Sequence, residues 1–164
     1  MRKIYLGLAA VAAIASTPAL AASTSNTMPV VVNVINSCTV SATPMDFGTL
    51  TGVGGVNVDS SSTVSLLCTQ GAAYDVSMNL GVNAGAGTQR YLVNPLDATK
   101  KIPYNLFSNA GRTAAWGNTS GTNTVIGTAT TGAVSLTAYG RIPSTATAVS
   151  AGDYNDTVTV SVNF

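Results

Sequence analysis

The last nine residues, DTVTVSVNF from Asp156 to Phe164, alternate without a break. Val158, Val160, Val162 and Phe164 fall on one face, and Thr157, Thr159, Ser161 and Asn163 on the other. Strict period-two alternation of β-branched residues is the pattern of a half-buried strand. A strand with one fully apolar face needs a cover over that face and neighbours on both edges. Because this strand is written last, the expectation is that one of its neighbours is not supplied by the sequence that follows it.

The same vocabulary runs through the rest of the chain. Val, Thr, Ser, Ala, Asn and Gly dominate, Glu is absent, and no stretch has a helical period. A first strand is expected in MPVVVNVIN, where Met28, Val30, Val32 and Val34 share a face that is better suited to burial than the face holding Pro29 and Asn33. SCTVSATPMDFGTL reads as a short strand interrupted at Pro44, and TGVGGVNVDSSS as a loop or weak edge strand because its glycines disfavour a central strand. Further strands are expected with Val64, Leu66 and Cys68 in phase, with Tyr74, Val76, Met78 and Leu80, around Tyr91 to Val93, with Ile102, Tyr104 and Leu106, and with Val134, Leu136 and Ala138. Trp116 anchors a short element of its own. Seven or more short strands separated by turn residues predict an all-β fold, an antiparallel β-sandwich in one domain.

The first 21 residues stand apart. Arg2 and Lys3, the apolar run Leu6 to Ala15 and the small-residue site Ala19-Leu20-Ala21 have the build of a secretory signal peptide, with cleavage expected after Ala21. The apolar run is too short to span a bilayer, which takes about 20 residues. The mature chain of 143 residues is therefore expected to be exported.

Export bears on Cys38 and Cys68, the only two cysteines. In an oxidising compartment they are expected to form a disulfide worth roughly 3 to 4 kcal/mol on the chain-entropy model. Two thiols with no His in the chain make a poor metal site. The mature part carries five Lys and Arg against six Asp, and only Lys100-Lys101 cluster, so nucleic acid is not an expected partner.

The inventory for catalysis is thin. With no His and no spare Cys, acid–base or nucleophilic work would fall to scattered carboxylates, of which only Asp153 and Asp156 lie close together. They could be imagined as a hydrolase pair or a calcium loop, but beside Gly152 and Asn155 they read as turn residues accepting main-chain hydrogen bonds. Tyr74, Tyr91, Tyr104, Trp116, Tyr139 and Tyr154 could line a sugar-binding face; in a small sandwich they read as core and core edge. No enzyme activity, cofactor or metal is expected.

The first mature segment, from Ser23 to Asn36, carries its strand pattern ahead of Cys38 and is longer than a first strand requires. An economical arrangement has this segment of one copy supply the strand missing beside the last strand of another copy, by addition to an open sheet edge. Burying Val30, Val32 and Val34, with Met28, contributes roughly 1.5 to 3 kcal/mol per side chain. That total is comparable with an association cost of about 4 to 15 kcal/mol, so the main-chain ladder must contribute as well. Each copy gives and receives, so the contact is head-to-tail and grows an open filament. Pro29 removes one N–H from such a strand, and the effective donor is expected to begin at Val30.

YGRIP at Tyr139 to Pro143, AGDYNDTVTVSVNF at Ala151 to Phe164, IPYNLFSNAGRTAAWGN at Ile102 to Asn118, INSCTV at Ile35 to Val40 and LLCT at Leu66 to Thr69 together resemble the spore coat U domain family, whose best understood members are pilin subunits of the archaic chaperone-usher pathway of the Csu type. The resemblance covers essentially the whole mature chain. It implies an incomplete immunoglobulin-like sandwich completed by a donor strand from a neighbouring subunit. It implies as partners copies of itself, other pilus subunits, a periplasmic chaperone and an outer-membrane usher, with delivery through the periplasm to the surface of a Gram-negative bacterium. Carried over, residues 22–36 are the donor segment, with Met28, Val30, Val32 and Val34 as its inward face, and residues 37–164 are the sandwich domain. Val158, Val160, Val162 and Phe164 line the acceptor groove, and the Phe164 carboxylate is an anchor for the chaperone. The function so implied is a structural subunit of an adhesive, biofilm-forming surface fibre. The alternatives are a monomeric secreted module binding a carbohydrate or another surface partner, and a coat protein that builds no pilus.

Overall fold

The structure is a computed structural model that describes residues 21–164; the expected signal peptide, apart from Ala21, lies outside the described residues. The chain divides into two units, one ending at Asn33 and the other Val34–Phe164. Within the first unit, residues 21–33 form neither strand nor helix, and Met28, Val30 and Val32 are 82, 84 and 89 % exposed. The strand expected over Met28 to Asn36 is thus absent from the single chain. A strand pattern without a hydrogen-bonded neighbour does not form a strand.

The second unit is an antiparallel, immunoglobulin-like β-sandwich of eight strands, with no helix among the described residues. The strands are β1 (Cys38–Ala42), β2 (Val58–Cys68), β3 (Ala73–Met78), β4 (Arg90–Asn94), β5 (Asp97–Phe107), β6 (Val125–Thr128), β7 (Ala133–Ile142) and β8 (Val160–Asn163). One sheet has the order β1-β2-β7-β5-β4 and the other β6-β3-β8. The alternation read from the sequence places Val64, Leu66 and Cys68 of β2, Val76 and Met78 of β3, and Ile102, Tyr104 and Leu106 of β5 in the core between the sheets. Trp116, 1 % exposed, plugs this core from the connection after β5, and its Nε1–H donates to Val76 O at 2.9 Å. An indole can be buried at low cost when its one donor is satisfied.

Three differences from the sequence reading have physical causes. β2 begins at Val58, inside the stretch expected to be a loop or weak edge strand, and lies within its sheet, pairing with β7 as far as Val58↔Ile142. Its inward positions there are Ser60 and Ser62, whose hydroxyls donate to Asp46 O and Thr43 O. Small polar side chains thus hold the β1–β2 connection where an apolar pattern would have advertised a strand. β6 was hidden by its shortness and by Gly127, whose bare Cα leaves room for the Tyr74 ring. β8 is shorter than the alternation suggested because Asn79, just beyond β3, replaces the ladder: its N–H donates to Thr159 O at 3.0 Å and its Oδ1 accepts from Thr159 N at 2.9 Å.

Candidate functional site

β8 is an edge strand of its sheet, joined on one side to β3 through Met78↔Val160, Ser77↔Ser161, Val76↔Val162 and Asp75↔Asn163. Val158, Val160 and Val162 turn inward and lie half-buried against the core. Phe164 continues the same face but is 57 % exposed. The main chain has a definite polarity. Thr157 O accepts from Val82 N at 3.1 Å and Thr159 O from Asn79 N at 3.0 Å, so the odd-numbered residues spend their main-chain groups on the β3 side. Successive residues of a strand direct these groups to opposite edges. The N–H and C=O groups of Val158, Val160 and Val162 therefore point to the open edge, and the same three residues present the apolar side chains.

Across that edge stands β1, the edge strand of the other sheet, with Cα atoms of β1 and β8 approaching within 8 Å. Cys38 at the start of β1 is disulfide-bonded to Cys68, its register partner at the end of β2. Thr69 reinforces this end by donating from N to Ser37 O and from Oγ1 to Ile35 O. The space between the β1–β2 and β7–β8 connections is a cleft of about 620 Å³, lined by Met45, Phe47, Leu50 and Val149 and by the buried Ile102 and Ile142. Gly140 leaves room for two of these residues, since a Cβ there would overlap Met45 Sδ and the Phe47 ring.

The segment leading into β8 is held by a polar cluster. Asp156 accepts from Tyr104 Oη at 2.7 Å through Oδ2, and from Asn83 N and Thr157 N through Oδ1. Burial, with the Asp156 carboxylate beside it, pushes the Tyr104 hydroxyl well above its ordinary value near 10. Gly81, at φ +80°, passes so close to Asp156 that a side chain there would strike the carboxylate. Arg90, 4 % exposed, spends its guanidinium on the carbonyl oxygens of Met78, Asn79 and Trp116 at 2.7 to 3.1 Å. Burial lowers its pKa, opposed by Tyr104 and Asp156 nearby.

The other residues singled out from sequence fall as follows. Asp153 is exposed, and Asp156 is committed to the cluster just described. Among the described residues no group of three or more His, Cys, Asp or Glu is placed to hold a metal. Tyr104 and Trp116 are core residues, and Tyr74, Tyr91, Tyr139 and Tyr154 are half-buried. Lys100 and Lys101 sit exposed on the β4–β5 hairpin, Lys101 Nζ 5.9 Å from the Tyr91 ring. Val34 is exposed, at 73 %. Sequence reading passed over Arg90, and its one signal is a lone cation in a strand otherwise made of Tyr, Leu, Val and Asn.

Comparison with known proteins places this arrangement. The structure resembles the complex described as the CsuC-CsuE chaperone-tip adhesion subunit pre-assembly complex of archaic chaperone-usher Csu pili of Acinetobacter baumannii, with a TM-score of 0.54 and 24 % identity, over 80 % of this chain and 40 % of that one. It also matches the minor tip subunit HdaB of the E. coli Hda pilus, with a TM-score of 0.44 and 15 % identity, over 76 % of this chain and 79 % of that one. The likeness to the Csu complex is one of fold. By sequence, the chain is 29 % identical to Protein U of Myxococcus xanthus over the full length of both. The family model described as the Spore Coat Protein U domain matches residues 24–161, and the chain belongs to that family.

Proposed function

We propose that this protein is a structural, non-enzymatic pilus subunit that polymerises by donor-strand exchange. The observation that carries the reading is the open edge of β8, where Val158, Val160 and Val162 offer apolar side chains and main-chain groups that are unpaired among the described residues. An edge of that kind is a template for an added strand. The exposed segment 22–36, with Met28, Val30, Val32 and Val34 in phase, has the chemistry of the donor. On this reading the chain crosses the periplasm with a chaperone covering the edge, an outer-membrane usher exchanges the chaperone for the next subunit, and the fibre serves adhesion and biofilm formation at the surface of a Gram-negative bacterium.

The test is the size distribution of the exported chain beside a version lacking residues 23–35, on an unheated denaturing gel. A heat-sensitive ladder from the full chain and its absence from the shortened one support donor-strand exchange. Monomer bands from both, with the shortened chain still folded, sink it. The full-length match to Protein U favours a second reading, a coat subunit assembled through the same edge, and the site at which the polymer accumulates separates the two.

A further inference from the structure

We propose that the donor segment fills the β8 edge in one register, with Val34, Val32, Val30 and Met28 opposite Val158, Val160, Val162 and Phe164, and that Pro29 falls on the side of this strand that makes no bond to β8. The inference rests on the donor-strand reading and names how the edge is filled.

The argument begins with the parity of the edge. The free main-chain groups belong to the even-numbered residues of β8, which are also its inward-facing residues. An antiparallel neighbour pairs residues directly opposite one another, with their side chains on the same face. The donor residues that hydrogen-bond to β8 must then be its inward residues too. In residues 28–34 these are the even ones, the apolar set, while the odd ones turn their N–H groups away from β8. Pro29 is odd. Its missing N–H therefore lies on the side where no bond to β8 is made, so the donor does not have to begin at Val30.

Parallel entry reverses this. With the same apolar face inward, a parallel strand would turn the main-chain groups of its odd residues toward β8, and Pro29 would leave a gap in the ladder. Polymer geometry gives the same direction. Cys38 at the start of β1 pairs with Cys68, and Asn163 at the end of β8 pairs with Asp75 soon after it, so both lie at one end of the sandwich. The chain before β1 departs from that end, held through Ile35 and Ser37 to Thr69. A parallel donor would bring its own sandwich to the same end, where the acceptor's segment must be free to reach the next copy. An antiparallel donor puts it at the opposite end.

The register follows from the two apolar sets. Four inward donor positions meet four inward acceptor positions in a single antiparallel alignment. A shift of two residues one way sets Val34 against Asp156, already bonded to Tyr104, and the other way sets Asn36 against Val158. The spacing of the edges agrees: β1 approaches β8 within 8 Å, while a strand hydrogen-bonded to both would need about 10 Å between them. The donor pairs with β8 and leaves its Pro29 side outside any ladder.

The register is read by cross-linking in assembled fibres. Asn33 and Thr159 face each other outward in this alignment, in a non-hydrogen-bonded pair whose Cα atoms are about 4.5 Å apart, within disulfide range. Chains carrying Asn33→Cys with Thr159→Cys are expected to give a ladder that survives heating and collapses on reduction. Asn33→Cys with Thr157→Cys or with Ser161→Cys is expected to give only the heat-sensitive ladder. A heat-sensitive ladder in all three, with the covalent link at 157 or 161 or at none, overturns the register while leaving strand exchange intact. No ladder of any kind, from these chains or the unsubstituted one, overturns strand exchange and the register with it.

Discussion

The Tyr104 hydroxyl donates a 2.7 Å hydrogen bond to Asp156 Oδ2, tying β5 of the larger sheet to the segment that leads into β8 of the smaller one. Both partners lie behind the open edge, and the carboxylate also receives two main-chain N–H groups. Tyr104→Phe is expected to lower stability by about 1.5 to 3 kcal/mol, the range for a hydrogen bond to a charged group. Denaturant unfolding of the monomer measures it. A loss below about 0.5 kcal/mol would show that the pair does not hold the sheets together.

Burial of the same hydroxyl, with its bond to Asp156, sets a limit at high pH. The folded-state pKa of Tyr104 is raised above its ordinary value near 10, so the folded protein keeps a proton that the unfolded chain releases. That contribution is complete below about pH 10 and is lost as pH rises above it, with a slope approaching 1.4 kcal/mol per pH unit. Unfolding curves from pH 8 to 11 are expected to show the decline in the natural chain and a shallower one in Tyr104→Phe.

Arg90 is expected to resist conservative replacement. Its planar guanidinium reaches three carbonyl oxygens on two segments, and a lysine ammonium is a single point on a flexible stem. Arg90→Lys is expected to cost about 1 to 3 kcal/mol, since at least one buried carbonyl loses its donor. Equal midpoints for the two proteins in denaturant would refute this.

Replacing both Cys38 and Cys68 with Ala is expected to lower stability by roughly 3 to 4 kcal/mol, for a bond that closes a sequence separation of 30. Reduction of the natural protein should reproduce the loss, and thermal melts with and without reductant measure it.

A proline scan separates the two faces of the donor segment. Val31→Pro removes an N–H that points away from β8 and is expected to leave the heat-sensitive ladder in place. Val32→Pro removes one that faces it and is expected to abolish the ladder, with Val32→Ala as the control for the lost side chain. Residues 31 and 32 are both exposed in the single chain, so neither change burdens folding of the sandwich. Equal behaviour of the two proline variants would contradict the parity argument.

Alternation was enough to reveal the strands whose inward residues are large and apolar. Val64-Leu66-Cys68 and Ile102-Tyr104-Leu106 show their buried faces directly in the sequence. It failed where the inward residues are polar or absent: Ser60 and Ser62 work by hydrogen-bonding a passing connection, and Gly127 by making room for Tyr74. Arg90 was passed over for a related reason, because its partners are main-chain carbonyls from three positions, which no side-chain pattern encodes. The even face of the last strand was plain from the sequence. Which edge of β8 stays open became visible only once Asn79 and Val82 were seen bonding the odd residues.

The disulfide acquires a mechanical meaning once such chains are linked end to end. Tension from a neighbour would enter the sandwich along Val34–Ser37 and arrive at Cys38, the first residue of a five-residue edge strand. Pulled alone, that strand has only its five-residue ladder to β2 to resist the load. Bonded to Cys68, it passes the load to the end of β2, an eleven-residue strand laddered to β7 from Val58 to Leu67. There the ladder bonds bear the force together, in shear along the strand.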